Sequence, residues 1–383
     1  MITNTQPIEV SGSRFLVRYL VQGDEADAYS LAKKICIEET IEYPEELVSA
    51  GDIRDHIFGR IEDFNPAGKD KYDVTISYAD EISGFEFPQL LNVIFGNISM
   101  MPGIRVLDIM LSENILKIFK GPRFGISGLR ETLKVFNRPL LATAIKPMGL
   151  SAKEFGKMAY ELAMGGMDII KDDHGLANQP FAKFEERVSA VNAAVQKANE
   201  ETGFETMYMP NVTGPFELMM ERIMFAKKIG VQGLLLIPGY CGLDFVRFVA
   251  ENDDIGLPIM AHPAFIGSYV LSPEFGVHHK VMHGKLLRLA GADMTVFPNY
   301  IGRFAYSLED CKKIDEGCKN PMAHMKCMFP APGGGIKPSI FKELIDEFGN
   351  DVILLMSGNL HRQGENLRGT TEKMAEKIRT ICG

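Results

Sequence analysis

The chain has 383 residues, a length that at roughly 150 residues per domain predicts two or three domains. Its formal net charge of −9 and pI of about 5.5 exclude the basic footprint that a nucleic acid or an anionic membrane requires. Hydrophobic residues make up 46%, enough for a real core, yet no run reaches the roughly 18 apolar residues of a membrane span.

Residues 1–6 carry neither the basic nor the apolar region of a signal peptide, so the expected location is cytoplasmic. Residues 14–21 alternate apolar and polar and predict a strand. Residues 24–40 have helical spacing through Ala28, Leu31, Ala32 and Ile35, after an acidic first turn. A second alternation covers 72–78, a helix 87–95 and a further strand 103–111. Together these predict an α+β domain over residues 1–120, and Gly121, Pro122, Gly125 and Gly128 mark a break.

From about residue 139 strands and helices alternate strictly. Strands are predicted at 140–146, 167–173, 207–212, 233–237, 258–264, 293–299, 328–332 and 352–358. Helical stretches fill the gaps between them, such as 152–164, 184–199, 215–228, 286–289, 340–348 and 362–381. Eight strand–helix repeats predict a (β/α)8 barrel domain over 121–383. A doubly wound open sheet is the alternative, but it would need a dinucleotide fingerprint after its first strand, and none is present. The six cysteines (Cys36, Cys241, Cys311, Cys318, Cys327 and Cys382) form no Cys-x-x-Cys pair, which predicts reduced thiols and argues against a zinc site.

A barrel gathers its functional groups at the C-terminal ends of its strands. The second strand there runs from Gly165-Gly166-Met167-Asp168-Ile169-Ile170 into Lys171-Asp172-Asp173-His174. Side chains alternate along a strand, so Lys171 and Asp173 share one cavity and Asp172 points away. Two carboxylates and an imidazole can ligate a divalent ion; a lysine cannot unless it becomes a carbamate. The alternative is an ion-pair cluster at the barrel rim. Lys146 ends the first strand, either as a buried electrophile for an anionic oxygen or as a snorkelling rim residue. Asn211 and Thr213 end the third strand. His262 on the fifth is either structural or catalytic. Asn299 ends the sixth, with Arg303 just beyond. Gly333, Gly334 and Gly335 follow the seventh strand, and Ser357, Gly358 and Asn359 the eighth, the two loops that commonly hold phosphate in barrels. Read blandly, the glycine run is a flexible turn. His278, His279 and His283 are expected on a solvated surface.

These residues resemble the RuBisCO large-subunit superfamily over most of the chain. The likeness rests on Gly121-Pro122-Arg123-Phe124-Gly125-Ile126, Ile145-Lys146-Pro147, Gly166-Met167-Asp168 leading to Lys171-Asp172-Asp173, Gln179-Pro180-Phe181, Ala261-His262, residues 297–302 and Gly334-Gly335-Ile336. The resemblance implies an α/β protein with an N-terminal α+β, ferredoxin-like domain followed by a (β/α)8 TIM barrel. It implies a homodimer or an assembly of dimers, without nucleic-acid or membrane partners. Lys171, carbamylated by CO2, Asp173 and His174 would hold Mg2+, with Mn2+ or another divalent ion as alternatives. Lys146, Lys171 and His262 would be catalytic. Gly334, Gly335, Ser357, Gly358 and Asn359 would bind phosphate. Glu38, Asn97, Asn299 and Arg303 would bind substrate, with Glu38 and Asn97 entering from the partner subunit.

Departures from the family pattern narrow the function. The third metal-ligand position, usually glutamate, is His174. Met148 replaces the second lysine of the first strand, Pro263 an arginine, Val296 or Phe297 a histidine, Gly333 a serine, and Arg303 a loop lysine. Much of a second phosphate site and of the gas-addition machinery is thereby lost, which implies a RuBisCO-like protein that is not a carboxylase. The surviving chemistry is enolisation and proton transfer on a phosphorylated ketose such as 5-methylthioribulose 1-phosphate. A branch that enolises a diketo methylthiopentyl phosphate carries a lysine base where this chain has Asn97. The remaining readings are a decarboxylase of a phosphorylated 3-oxo sugar acid and a non-catalytic sugar-phosphate binder.

Overall fold

The computed structural model describes residues 4, 6–362 and 366–383. Residues 1–3 and 5, within the N-terminal stretch read for a signal peptide, and residues 363–365, within the predicted 362–381 helix, lie outside the described residues. The chain divides into two compact units: Met1–Phe119 with Ile266–Met282, and Lys120–Phe265 with His283–Gly383. Ile266–Met282, from within the 121–383 region, thus groups with the first unit.

The first unit is built on a five-stranded sheet. Its strands are β1 (Arg14–Gln22), β2 (Arg60–Gly68), β3 (Lys71–Ala79), β4 (Ile104–Met110) and, from the later segment, β10 (Gly276–Val277). Their order is β10-β4-β1-β3-β2, antiparallel except for the β10–β4 pair. The order β4-β1-β3-β2, with helices Glu25–Glu38 and Phe87–Phe95 between strands, is the ferredoxin-like arrangement. Along β1, Phe15, Val17, Tyr19 and Val21 are all fully buried, as a period of two requires. Asp24 caps the helix Glu25–Glu38 by accepting the Asp27 N–H, and the helix buries Ala28, Ala32, Ile35 and Cys36.

The second unit is a barrel of eight parallel strands: β5 (Leu140–Ile145), β6 (Ile169–Asp172), β7 (Met207–Met209), β8 (Leu234–Leu236), β9 (Ile259–Ala261), β11 (Met294–Pro298), β12 (Phe329–Gly333) and β13 (Ile353–Met356). Seven ladders run in the order β7-β6-β5-β13-β12-β11-β9-β8. The ring closes between the ends of that order, where Leu235 N donates to Pro210 O at 2.9 Å and Val212 N to Leu235 O at 3.2 Å. Ala142, Ile169, Met207, Leu235, Met260, Met294, Ala331 and Ile353 belong to one core cluster. Each large member buried this way contributes about 1.5–3 kcal/mol. Leu129 and Leu133 of the helix Gly125–Leu133 join the same cluster. Asp293, fully buried, ties that helix to the strands by accepting the Phe124, Gly125 and Ile259 N–H groups.

Several expectations needed correction. His279 and His283 are 4% and 0% exposed, not solvated, and the His283 Nε2 lies 2.9 Å from the Tyr306 hydroxyl. The predicted 286–289 helix is the tail of a longer helical stretch, π-helical over Lys280–Leu286 and then α-helical over Leu287–Leu289. The last helix is Leu367–Cys382, preceded by a single turn at Gly358–His361. Strand β6 stops at Asp172, so Asp173 and His174 stand just beyond it.

Candidate active site

Because the apolar residues of the strands point inward, the parity of each strand decides which side chain reaches the mouth of the barrel. Ala142 and Ile169 face the core, so Ala144 on one strand and Lys171 on the next face inward too, while Lys146 and Asp173 follow directly after the two strand ends. Lys171 is 2% exposed, and its Nζ donates to the Asp172 carbonyl at 3.0 Å. Burial lowers its amine to about 8, with the Lys146 charge adding to the shift and Asp173 opposing it. On the order of a tenth of the amine is therefore neutral at pH 7. Lys146 Nζ lies 2.7 Å from Asp173 Oδ2, while Asp173 Oδ1 accepts the Gly175 N–H at 3.1 Å. Burial alone would raise the Asp173 carboxyl; the Lys146 contact and the Lys171 charge outweigh it and hold the group at about 2.

The two imidazoles complete the cluster. His174 and His262 stack with ring centroids 4.3 Å apart and planes 14° off parallel. Burial lowers both pKa values first, and the nearby Lys171 and Lys146 charges lower them further. Both rings are accordingly neutral near pH 7. The Ala264 N–H donates to His262 Nδ1 at 3.2 Å, which places the proton of the neutral ring on Nε2. His174 Nδ1 lies 3.3 Å from Asp173 Oδ1, which favours the proton on Nδ1 and leaves Nε2 with a free lone pair. One imidazole therefore offers a donor and the other an acceptor.

Asp172 does the opposite job. It is fully buried on the outer side of its strand, where its carboxylate accepts from Arg187 Nη2 at 3.1 Å, the Tyr208 hydroxyl at 2.8 Å and Asn211 N at 3.0 Å. Asn211 Nδ2 then donates to the His174 and Leu176 carbonyls at 3.0 and 2.9 Å, fixing the turn that carries His174. The supporting role of Arg187 was not anticipated. Its signal is a lone arginine in the buried stripe Phe184, Val188, Val191 of the helix Phe184–Thr202.

The other side of the mouth is lined by glycine. Gly334 and Gly335 have φ of +95° and +72°, and a Cβ on Gly335 would sit 2.6 Å from the Ile301 carbonyl oxygen. Only glycine lets that loop lie against residues 301–302. Asn359 Nδ2 donates to the Ile336 carbonyl at 3.0 Å, joining the loops after β12 and β13. The amides that open the Gly358–His361 turn have no intrahelical carbonyl and point outward from its start. Asn299 is 0% exposed; its Oδ1 accepts the Tyr300 N–H at 3.0 Å, yet its Nδ2 has no partner among the described residues. A buried amide donor without an acceptor is costly, so it marks a place for a ligand oxygen or a water. Arg303 is exposed, packs over the Phe304 ring at 5.0 Å, and acts electrostatically on His174.

Glu38 and Asn97 lie in the first unit, where Asn97 Nδ2 donates to Glu38 Oε1 at 2.9 Å.

Among the described residues no three His, Cys, Asp or Glu side chains are grouped to hold a metal ion. As the side chains stand, an oxygen-seeking ion would find one carboxylate, Asp173, and the free Nε2 of His174. A carbamate on Lys171 would add the second anionic oxygen donor that such an ion needs. The neutral fraction of the Lys171 amine is the form that can react with CO2. With that modification the donor set fits a divalent ion.

Residues 125–369 match the family model of the ribulose bisphosphate carboxylase large chain, catalytic domain. The ribulose bisphosphate carboxylase-like protein 1 of Rhodopseudomonas palustris is 37% identical over 354 residues, covering 92% of this chain and 94% of that protein. The 5-methylthioribulose-1-phosphate isomerase of Rhodospirillum rubrum is 33% identical over 371 residues, covering 97% and 96%. The 2,3-diketo-5-methylthiopentyl-1-phosphate enolase of Bacillus pumilus is 37% identical over 305 residues, covering 78% and 74%. The crystal structure of a Rubisco-like protein from Rhodopseudomonas palustris superposes with a TM-score of 0.86 at 34% identity, covering 98% of each chain. Sequence and backbone agree across nearly the whole length, and this chain belongs to the ribulose bisphosphate carboxylase large-chain family, among its RuBisCO-like enzymes.

Proposed function

We propose that this enzyme catalyses enolisation and proton transfer on a phosphorylated ketose, with 5-methylthioribulose 1-phosphate as the leading substrate and an isomerised sugar phosphate as product. One observation carries the reading: a buried amine, Lys171, shares the barrel mouth with the Lys146–Asp173 ion pair and two neutral, stacked imidazoles. Taking a proton from carbon next to a carbonyl builds negative charge on the carbonyl oxygen, and that charge needs a cation and a hydrogen-bond donor beside it. Lys146 supplies the cation. His262 supplies a donor at Nε2. A divalent ion, when bound by carbamylated Lys171, Asp173 and His174, supplies a Lewis acid for the same oxygen. Gly334, Gly335, Ser357, Gly358 and Asn359 hold the phosphate, Asn299 Nδ2 donates to a substrate oxygen, and Arg303 covers the opening. Glu38 and Asn97 act in the site of a second copy, so the working unit is a homodimer or an assembly of dimers.

Relatives named as diketo methylthiopentyl phosphate enolases support a second reading, in which the same enolisation acts on a diketone. Asn97 favours the isomerase, because it has no basic side chain to remove that branch's proton. Incubation of each substrate with the protein, Mg2+ and bicarbonate, followed by 31P NMR, separates the two. The proposal predicts a new phosphate resonance from the ribulose phosphate. Conversion of the diketone alone would favour the enolase, and conversion of neither would overturn both.

A further inference from the structure

The first unit holds a buried carboxylate that neither the sequence reading nor the proposed reaction uses. Glu39 follows the helix Glu25–Glu38 and is 6% exposed. Its two oxygens reach across to the turn after the helix Phe87–Phe95, where Oε1 accepts the Ile98 N–H at 2.8 Å and Oε2 the Gly96 N–H at 3.2 Å. These two amides flank Asn97. On the adjoining position of the chain Glu38 Oε1 accepts from Asn97 Nδ2 at 2.9 Å. The two neighbours in sequence thus grip the same three-residue turn, one by its backbone and the other by its side chain. Gly96 is part of the arrangement, since a Cβ there would collide with Asn92 and lie 2.9 Å from Glu39 Oε2. Removing Cβ is what lets the carboxylate reach that backbone.

We propose that Glu39 is a positioning residue: its carboxylate clamps the Gly96–Ile98 turn and so sets the geometry of the Glu38–Asn97 pair. The proposal rests on the reading that this pair serves the catalytic site. A carboxylate accepts two N–H groups at once, whereas a glutamine in its place offers an amide nitrogen to one of them. Burial raises the Glu39 carboxyl to about 7, with the two N–H donors opposing the shift. The groups that face it are Glu38 and Glu42 beside the helix end and the buried Tyr19 and Tyr78 hydroxyls of the sheet. The clamped state therefore holds a proton that an opened one would release, and the clamp weakens as pH rises through about 7.

The test compares Glu39→Gln, Asn97→Ala and the double variant in the full-length protein. The readouts are kcat and KM for 5-methylthioribulose 1-phosphate, together with backbone hydrogen exchange at residues 96–98. Glu39→Gln should lower kcat about tenfold, change KM less, and lose protection at those amides. The double variant should be no slower than Asn97→Ala alone. Multiplicative losses in the double variant, or unchanged protection in Glu39→Gln, would overturn the clamp. Wild-type turnover in Asn97→Ala would instead remove the reading of the pair on which the proposal depends. Should Glu39→Gln fail to fold, wild-type exchange decides: after correction for the intrinsic rate, protection at residues 96–98 must fall between pH 6 and 8, and a flat profile refutes the proposal.

Discussion

Replacing Asp172 by alanine tests whether the outer face of β6 carries the site. Asp172 and Arg187 are both 0% exposed, and Asp172 also holds the Tyr208 hydroxyl and Asn211 N. The substitution leaves the Arg187 guanidinium buried without its counter-charge, which by itself costs about 3–5 kcal/mol. The orphaned Tyr208 and Asn211 donors add about 1 kcal/mol each where water cannot reach them. Because Asn211 also holds the His174 and Leu176 carbonyls, turnover should fall with stability even at denaturant concentrations where the chain remains folded. Urea unfolding followed by circular dichroism, with turnover measured alongside, gives both quantities. The double variant Asp172→Ala with Arg187→Met removes both charges and should recover most of the stability, since a methionine packs where the arginine stem lay. A loss under 1 kcal/mol in the single variant, or a double variant less stable still, would refute this account of the buried pair.

Lys171→Ala should abolish metal-dependent turnover, and retained activity would remove the carbamate from the reading. At a fixed concentration of dissolved CO2, activation of wild-type protein with Mg2+ should quicken as pH rises towards 8 and level off above it, because only the neutral Lys171 amine reacts with CO2; a rate independent of pH would contradict it. Asn299→Ala should raise KM for the phosphorylated ketose about tenfold or more with little loss of stability, the size expected for one hydrogen bond to a charged or polarised oxygen. Burial raises the Asp293 carboxyl from 3.8 to about 6. Between those values the folded state holds a proton that the unfolded chain releases, so Asp293 contributes stability that is full below about pH 4 and lost as pH rises through 6. The change amounts to at most about 3 kcal/mol. Asp293→Asn should remove that slope, as stability curves at pH 4, 5, 6 and 7 would reveal, and an identical slope in the variant would count against it.

The barrel was legible because its strands are short apolar runs that end in ionisable groups, as at Ile169-Ile170-Lys171 and Met260-Ala261-His262. Strand β2 was not legible. It lies at the sheet edge, nearly all its residues are solvent-facing, and Pro66 interrupts it, so no alternation marks it. The helix Leu308–Lys319 also escaped, for its buried stripe is only Cys311, Ile314, Gly317 and Cys318 among charged neighbours. Within the site, alternation alone put Lys171 and Asp173 on one side of the strand and Asp172 on the other. The Asn211 link to the His174 turn and the imidazole stack depend on which strands become neighbours, and local sequence does not encode that. The burial of His279 and His283 was missed for a related reason: polar neighbours in sequence were read as solvent exposure, whereas tertiary packing decides it.

The central claim is that the barrel mouth enolises a phosphorylated ketose, and solvent exchange tests it most directly. 5-Methylthioribulose 1-phosphate is incubated with the protein, Mg2+ and bicarbonate in D2O, and 1H NMR follows the protons on the carbons beside the carbonyl. The account predicts their replacement by deuterium at a rate that Lys171→Ala abolishes. Full retention of those protons, with this and other phosphorylated ketoses bound, would contradict it and leave a sugar-phosphate binder in its place.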